Sequence, residues 1–189
     1  MLQCRLHRLD VRSPESIAAF AAQMDQTNKP IDLLLNIAGV MAPPEQDSLE
    51  TVTKDTLTKT FETNTFGPLL LTQALLKNLL ASPNPKVGIV SSRVGSIGDN
   101  STGGSYAYRA SKAAVNSIGK SMSCDLREMG VVVCLLHPGY VNTYLNPGQT
   151  HPEMVEPDEA AAKLWEVMKT KGIEDSGRFW HREGQELPW

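Results

Sequence analysis

Three short apolar runs, each followed by a polar loop and a helix-forming stretch, constrain the fold of this chain more than any other feature. The runs cover residues 31–36, 87–90 and 131–136, only Asp32 interrupts the first, and a shorter run at 178–181 predicts a final strand. Continuous apolar runs of this length are typical of strands buried on both faces of a parallel sheet. Their alternation with helices predicts an α/β fold with a doubly wound, mostly parallel sheet, whose ligands bind beyond the carboxyl ends of the strands.

The segments between these runs predict further elements. Residues 2–11 alternate weakly between apolar and polar side chains and predict a strand. A serine followed by proline and an acidic residue marks the start of a helix over about residues 13–26. A long helical segment covers about residues 53–80, and the proline of its Gly67-Pro68 pair predicts a kink close to Asn64.

The composition excludes several classes of protein. A formal net charge of −3, with acidic and basic residues interspersed, leaves no basic surface for nucleic acid. No uninterrupted apolar stretch approaches the ~18 residues that a membrane span needs. The cysteines are odd in number, and neither they nor the histidines have metal-ligand spacing, which indicates reduced thiols and no metal site. We therefore expect one cytoplasmic domain over residues 1–189 that binds neither nucleic acid nor a membrane.

A tyrosine and a lysine four residues apart follow the second apolar run. Tyr108 and Lys112 lie in a helical pattern that starts near Tyr106, so they share one helix face. A free phenol has a pKa of about 10, and a nearby ammonium lowers that pKa toward the working range. Ser92, at the carboxyl end of a predicted strand, is placed to hydrogen-bond a carbonyl or alcohol oxygen. An ordinary amphipathic helix pair is the other interpretation of the Tyr-Lys spacing taken alone.

The serine pair, the glycine-rich loop and the Tyr-x-x-x-Lys helix together resemble the active-site segment of the short-chain dehydrogenase/reductase family. The stretch SSRVGSIGDN at 91–100 is similar in particular to C-factor-like and Sniffer-type carbonyl reductases. This resemblance implies a Rossmann-like fold, an NAD(P)-dependent oxidoreductase and a small-molecule carbonyl or alcohol substrate. It also implies a catalytic set, in which the asparagine holds a water on the proton path to the lysine: Asn64, Ser92, Tyr108 and Lys112. A polar residue at an exposed helical position is the alternative interpretation of Asn64.

The same resemblance implies contacts to the cofactor. Residues 36–39 (NIAG) are similar to the family's Asn-Asn-Ala-Gly motif, which borders the adenosine side of the cofactor, with Ile37 in place of the second asparagine. Asp10-Val11 is similar to the pair that meets the adenine ring. A Pro-Gly pair and a threonine after the third apolar run are similar to the segment that meets the nicotinamide. The implied cofactor-binding residues are Asp10, Val11, Asn36, Ala38, Gly39, Lys112, Pro138, Gly139, Val141 and Thr143. A simple turn at Pro138-Gly139 and a loop acid before a helix at Asp10 are the alternatives.

One feature of the family is absent from the sequence. Members open with a strand and a Thr-Gly-x-x-x-Gly-x-Gly turn that carries the cofactor pyrophosphate, yet Gly39 is the first glycine here. We therefore expect a domain that is incomplete at its N-terminus, without the first strand, the glycine-rich turn and the second strand. Without its usual neighbours in the sheet, the predicted strand at 2–11 would leave sheet edges open.

Two hypotheses of function follow. The first is a carbonyl reductase that binds NADP or NAD, the subgroup favouring NADP, with Tyr108 as proton donor. The second is a truncated, catalytically inactive family member that acts only as an association module, for instance as a homodimer through its two long helices. Seven leucines of the first long helix would serve that interface, although packing on the sheet explains most of them equally well: Leu69, Leu70, Leu71, Leu75, Leu76, Leu79 and Leu80.

Overall fold

A four-stranded parallel sheet forms the centre of the molecule. In the computed structural model, which describes residues 4–145, 148 and 150–189, the strands are β1 (Leu33–Asn36), β2 (Lys86–Val90), β3 (Val132–His137) and β4 (Arg178–His181). They lie in the order β1-β2-β3-β4, and each neighbouring pair is parallel. The predicted α/β fold with a parallel sheet is therefore confirmed.

Helices connect the strands. They are α1 (Pro14–Gln26), α2 (Lys54–Phe61), α3 (Gly67–Ala74), α4 (Leu76–Leu80), α5 (Tyr106–Asp125) and α6 (Pro157–Thr170). Short 3₁₀ turns lie at Pro44–Gln46, Arg93–Gly95, Arg127–Met129 and Ile173–Asp175. The predicted start of the first helix is confirmed, because the Ser13 hydroxyl accepts a hydrogen bond from the Ser16 amide and Pro14 occupies the first helical position.

Helices cover both faces of the sheet, and each face has its own apolar core. Successive strand side chains alternate between the faces, which divides the apolar runs into two sets. The larger core joins the sheet to α4 and α5 through residues that include Leu79, Val87, Ile89, Val115, Val133, Leu135 and Phe179. The smaller core joins the opposite face to α6 through Val132, Cys134, Leu136, Val167, Met168 and Trp180. Because the strands are all parallel, their carboxyl ends lie along the same edge of the sheet. The candidate site lies at this edge.

The segment between α2 and α3 contains the predicted kink. Residues Glu62–Phe66 form one π-helical turn, and Gly67 donates from its amide to the carbonyl of Glu62. Pro68 has no amide hydrogen, so the α-helical partner of the Asn64 carbonyl is missing. The helix accommodates the missing hydrogen bond by forming a wider, π-helical turn. Such turns are frequent at functional sites.

The predicted strand at residues 2–11 is wrong for its described part. Residues 4–10 have no regular structure, residues 1–3 lie outside the described residues, and Leu6 is 94% exposed. A strand needs a hydrogen-bonded neighbour, and within the described residues none pairs with this segment or with the outer edge of β1. The segment is held instead by side chains, because Leu9 and Val11 pack against α1 and α3.

Two further expectations concern the surface of the molecule. The outer strand β1 is left partly open, because Leu35 is 39% exposed and Ile37 beyond it is more exposed still. This agrees with the expected open sheet edge. Among the described residues, no helix has the length and apolar character to cross a membrane.

Candidate active site

The site lies where β2 ends and α5 begins. Ser92 lies two residues after the end of β2, and Tyr108 and Lys112 lie on the first two turns of α5. The loop between them folds back so closely that a Cβ on Gly95 would lie 2.7 Å from the backbone carbonyl carbon of Lys112. Glycine is therefore required at residue 95 to bring the strand end against the helix.

Tyr108 and Ser92 lie near each other. Tyr108 is only 8% exposed, and burial raises the pKa of its phenol. The nearby Ser92 side chain acts on that pKa in the opposite direction, with the smaller effect. The phenol is therefore protonated at neutral pH.

Lys112 lies next to Tyr108, one helical turn further along α5. Its side chain is almost completely buried, its Nζ donates to the Val90 carbonyl at 2.9 Å, and Nζ lies 5.6 Å from the centre of the Tyr108 ring. Burial lowers the pKa of Lys112 to about 8, so an ammonium persists at pH 7. The expectation that this ammonium brings the pKa of Tyr108 below its usual value is not met, because desolvation of the phenol dominates.

The two serines at the strand end have different partners. The Ser91 hydroxyl points into the core and donates to the Asn116 side-chain oxygen at 2.6 Å. Ser92 has extended backbone geometry (φ −149°), and its side chain turns to the Tyr108 phenol. Alternation along the strand thus gives one serine to the core and the other to the site.

Asn64 joins the π-helical turn to the site. Its side-chain oxygen accepts from the Val40 amide at 2.8 Å, and its nitrogen donates to the Val40 carbonyl at 2.9 Å and to the Ser111 hydroxyl at 3.0 Å. A Cβ on Gly39 would lie 3.6 Å from Asn64 Oδ1 and 3.7 Å from Lys112 Nζ. Asn64 is therefore buried and does not occupy an exposed helical position. Its side chain lies close to Gly39 and to the Lys112 ammonium.

Asp47 is a functional candidate that sequence reasoning missed. Its carboxylate is 2% exposed and accepts hydrogen bonds from the amides of Ala107 (2.7 Å) and Tyr108 (3.2 Å). It thereby caps α5 from a loop 60 residues away, whereas Ser105 at the helix start makes no side-chain cap. The only sequence signal was an acid in a polar loop, which specifies no partner.

The residues expected at the adenosine end of a cofactor are only partly brought together. Val11, Asn36 and Ala38 line a cavity of about 180 Å³ beside β1, together with Leu9, Leu35, Ile37, Pro68 and Leu71. The Asn36 side chain donates to Thr72 on α3 and serves the packing there. Asp10 does not line the cavity; the Arg12 guanidinium binds its carboxylate and holds its pKa at about 2.

The residues expected at the nicotinamide end follow β3. Pro138 and Gly139 form a turn in which Gly139 has φ +73°, a conformation that favours glycine. Val141 pairs with Val155 in an isolated parallel bridge. The exposed Thr143 accepts a hydrogen bond from the Leu145 amide, and no described hydrogen bond joins it to Tyr108 or Lys112.

The residues near the site do not fit the two ends of a dinucleotide equally well. Gly39, expected at the adenosine side, leaves free the space between Asn64 Oδ1 and Lys112 Nζ that a Cβ would occupy. The cavity beside β1 is smaller than the roughly 300–1,000 Å³ of a drug-sized pocket and suits one ring at most. No glycine-rich turn in the sequence would carry a pyrophosphate.

Comparisons with known proteins agree with this geometry. A family profile described as short chain dehydrogenase matches residues 2–153. The 1-hydroxy-2-glutathionyl-2-methyl-3-butene dehydrogenase of Rhodococcus sp. is 42% identical over 96% of this chain and 78% of its own length. The C-signal protein of Myxococcus xanthus is 42% identical over 85% of this chain and 93% of its own length.

Solved structures show the same similarity. NADPH-bound carbonyl reductase from chicken fatty liver has a TM-score of 0.90 at 31% identity, with 96% of this chain and 75% of that chain covered. Carbonyl reductase Sniffer of D. melanogaster has a TM-score of 0.88 at 27% identity, with 97% and 77% covered. The resemblance to both subgroups is confirmed, and the chain belongs to the short-chain dehydrogenase/reductase family.

Proposed function

We propose that this protein is an NAD(P)-dependent oxidoreductase that interconverts a small carbonyl compound and its alcohol, with Tyr108 as the acid and base. The observation that carries the proposal is the cluster at the carboxyl end of β2, where the buried Tyr108 and Lys112 lie beside the half-buried Ser92. Membership of the family supports a nicotinamide cofactor in general.

Tyr108 supplies the proton in the reducing direction. Because burial keeps the phenol protonated, it donates to the substrate oxygen, and Ser92 adds a second hydrogen bond to that oxygen. When bound, the nicotinamide would supply a hydride to the carbonyl carbon, and this hydride together with the proton from Tyr108 converts the carbonyl to an alcohol. In the oxidising direction the tyrosinate takes the proton back.

Lys112 stabilises the tyrosinate that remains after this transfer. Its Nζ lies 5.6 Å from the ring centre, and its pKa of about 8 leaves it charged at neutral pH. A positive charge this close to the ring favours the ionised form of the phenol. Lys112 therefore lowers the cost of proton transfer even though it does not make the resting phenol acidic.

Different residues near the site would contact different parts of the cofactor. Lys112 and the turn at Pro138-Gly139 would face the nicotinamide end, whereas Gly39 belongs to the motif expected at the adenosine side. Val11 and Ala38 would contact the adenosine end through the cavity beside β1. We favour NADP over NAD, because solved relatives include the chicken carbonyl reductase bound to NADPH and a Burkholderia multivorans homologue bound to NADP.

The substrate class is a small carbonyl compound or alcohol. The Rhodococcus relative is named for a glutathione-bearing hydroxyalkene, and the structural relatives are named carbonyl reductases. A substrate panel should therefore contain simple aldehydes and ketones together with glutathione conjugates of hydroxyalkenes.

The test is cofactor binding and turnover by the purified chain. We expect saturable NADPH binding by fluorescence and turnover on the panel, and Tyr108→Phe should reduce kcat at least about 100-fold because general acid catalysis contributes that much. Tyr106→Phe is the matched control, since Tyr106 is 40% exposed and on another helix face. Ser92→Ala should also reduce kcat.

Two results would contradict the proposal. Full turnover by Tyr108→Phe would remove the role of the phenol. Absence of both NADPH binding and turnover in the wild-type chain would instead favour the catalytically inactive association module.

We also propose the cytoplasm as the compartment and a homodimer as the assembly. Cys4, Cys124 and Cys134 are all free thiols in the structure, which suits a reducing compartment. The helices α3 and α4 keep some apolar side chains in solvent, Leu70 and Leu80 among them.

A further inference from the structure

An arginine at the end of β4 is buried although no carboxylate fully neutralises it. Arg182 is 7% exposed, and its nearest acid, Glu183, approaches only Nε, at 3.4 Å, from a side chain that is 40% exposed. The guanidinium instead donates to backbone carbonyls. Nη1 donates to Pro138 at 2.7 Å and more weakly to Tyr140 at 3.4 Å, and Nη2 donates to Glu153 at 3.1 Å.

These carbonyls belong to two segments, residues 138–142 and 153–156, that are hydrogen-bonded to each other. The Asn142 amide donates to the Val155 carbonyl at 2.9 Å, and the Val155 amide donates to the Tyr140 carbonyl at 3.0 Å. The Asn142 side chain also donates to the Glu156 carboxylate at 3.0 Å. We call residues 138–142 and 153–156 the neck, since they close the loop that lies between them.

The guanidinium lies directly against the turn of the neck. A Cβ on Gly139 would overlap the Arg182 guanidinium, so glycine is needed there both for its positive φ and for this contact. The Arg182 amide also donates to the His137 carbonyl at 2.9 Å, which extends the pairing of β3 and β4 to the turn. The C-terminal strand is thereby joined to the segment expected at the nicotinamide end.

We propose that Arg182 is a positioning residue that holds the neck, and through it the Pro138–Val141 segment, in the conformation that receives the nicotinamide end of the cofactor. The role in cofactor binding rests on the proposed function; the role in holding the neck does not. Arginine suits this position because its planar fork carries five donors that never lose their charge, and a lysine ammonium cannot reach all of these carbonyls at once.

The test compares three variants of the full chain. Arg182→Met removes the donors, Arg182→Lys keeps the charge, and Arg178→Met is the control, because Arg178 lies on the same strand but is exposed and paired with Glu186. Amide hydrogen exchange reports the neck at Asn142 and Val155, with the amides of β2 and β3 as an internal reference. NADPH titration reports cofactor affinity.

We expect Arg182→Met to lower protection of the neck amides roughly tenfold and to weaken NADPH binding by a similar factor, because the hydrogen bonds of a charged donor are lost. Protection in β2 and β3 should stay unchanged, Arg182→Lys should be intermediate, and Arg178→Met should match wild type. Unchanged neck protection in Arg182→Met, or an equal loss across the whole sheet, would overturn the proposal.

Two further outcomes remain decisive. If Arg182→Met does not fold, Arg182→Lys carries the test, and a neck as protected as in wild type would overturn the proposal. If wild type neither binds NADPH nor turns over substrate, the proposed function fails, while hydrogen exchange still decides whether Arg182 holds the neck.

Discussion

At the scale of single residues, burial decides the electrostatics of the site. The spacing of Tyr108 and Lys112 predicts a phenol made more acidic by an ammonium, yet desolvation raises the pKa of Tyr108 and lowers the pKa of Lys112 to about 8. The pair is therefore a neutral acid beside a buried cation at neutral pH. In the proposed reaction, the phenol would donate a proton and the cation would stabilise the anion that forms.

Lys112 also makes stability depend on pH. Its folded-state pKa of about 8 lies below the ordinary 10.5, so between these values the unfolded chain binds more protons than the folded chain. This contribution therefore stabilises the fold progressively as the pH rises from about 8 to 10.5. The full difference corresponds to about 3 kcal/mol, since each pKa unit is worth about 1.4 kcal/mol.

We expect Lys112→Met to lack this rise and to lose turnover. Urea unfolding of both proteins at pH 7 and pH 10 measures the effect as a difference, which cancels the titration of other groups. The variant should be relatively more stable at pH 7 than at pH 10 when compared with wild type. An identical pH dependence in the two proteins would show that Lys112 is not buried as a cation.

At the scale of elements, the start of α5 depends on a distant loop. Ser105 has φ +48° and makes no side-chain cap, so the first turn of the helix relies on the Asp47 carboxylate. A negative charge at a helix N-terminus is favourable because it meets unpaired amides and the positive end of the helix dipole. The loop after β1 thereby fixes the direction in which Tyr108 enters the site.

We expect Asp47→Ala to lower the free energy of unfolding by about 1–2 kcal/mol, the usual value of a lost cap. Turnover should fall as well, because the first turn of α5 carries Tyr108. Asp47→Asn keeps an accepting oxygen and should lie between Asp47→Ala and wild type. Chemical denaturation and kcat check the two effects, and an Asp47→Ala protein with wild-type stability would contradict the role of the cap.

At the scale of the whole molecule, the leucines of the α3–α4 segment fall into two groups, one buried in the core and one exposed to solvent. Leu71, Leu75 and Leu79 are buried within the molecule, and Leu69 and Leu76 are partly buried against its core. Leu70 and Leu80 stay exposed, at 36% and 42%. Packing on the chain's own core therefore explains most of the apolar pattern, and the proposed dimer rests on the remainder.

We expect the purified chain to sediment as a dimer, at twice the monomer mass, with Leu70→Asp shifting it to monomer. A charge in the centre of an apolar contact is costly to bury, whereas on a free surface it is tolerated. Leu49→Asp is the control, since Leu49 is more exposed and lies in a loop. A wild-type protein that sediments only as monomer would contradict the proposed assembly.

The four strands of the sheet, the start of α1, the kink near Asn64 and the family could be predicted from the sequence, whereas the catalytic roles of Ser92, Tyr108 and Lys112 stay predictions. These features depend on spacing along the chain: apolar periodicity, a serine before a proline, a proline four residues after an asparagine, a tyrosine one helical turn before a lysine. The strand at residues 2–11 could not be predicted reliably, because a strand forms only where a neighbour supplies its hydrogen bonds.

Only the tertiary structure decided which polar groups meet. The Asp47 cap joins residues 60 apart, and the contact between Arg182 and the Pro138 carbonyl joins residues 44 apart. It also decided the protonation of the site, because the pKa of Tyr108 depends on how much water the folded chain excludes. The sequence by itself determined the fold class and the family to which this chain belongs. Desolvation and long-range hydrogen bonds, which exist only once the chain is folded, determined how the reacting groups are held and charged.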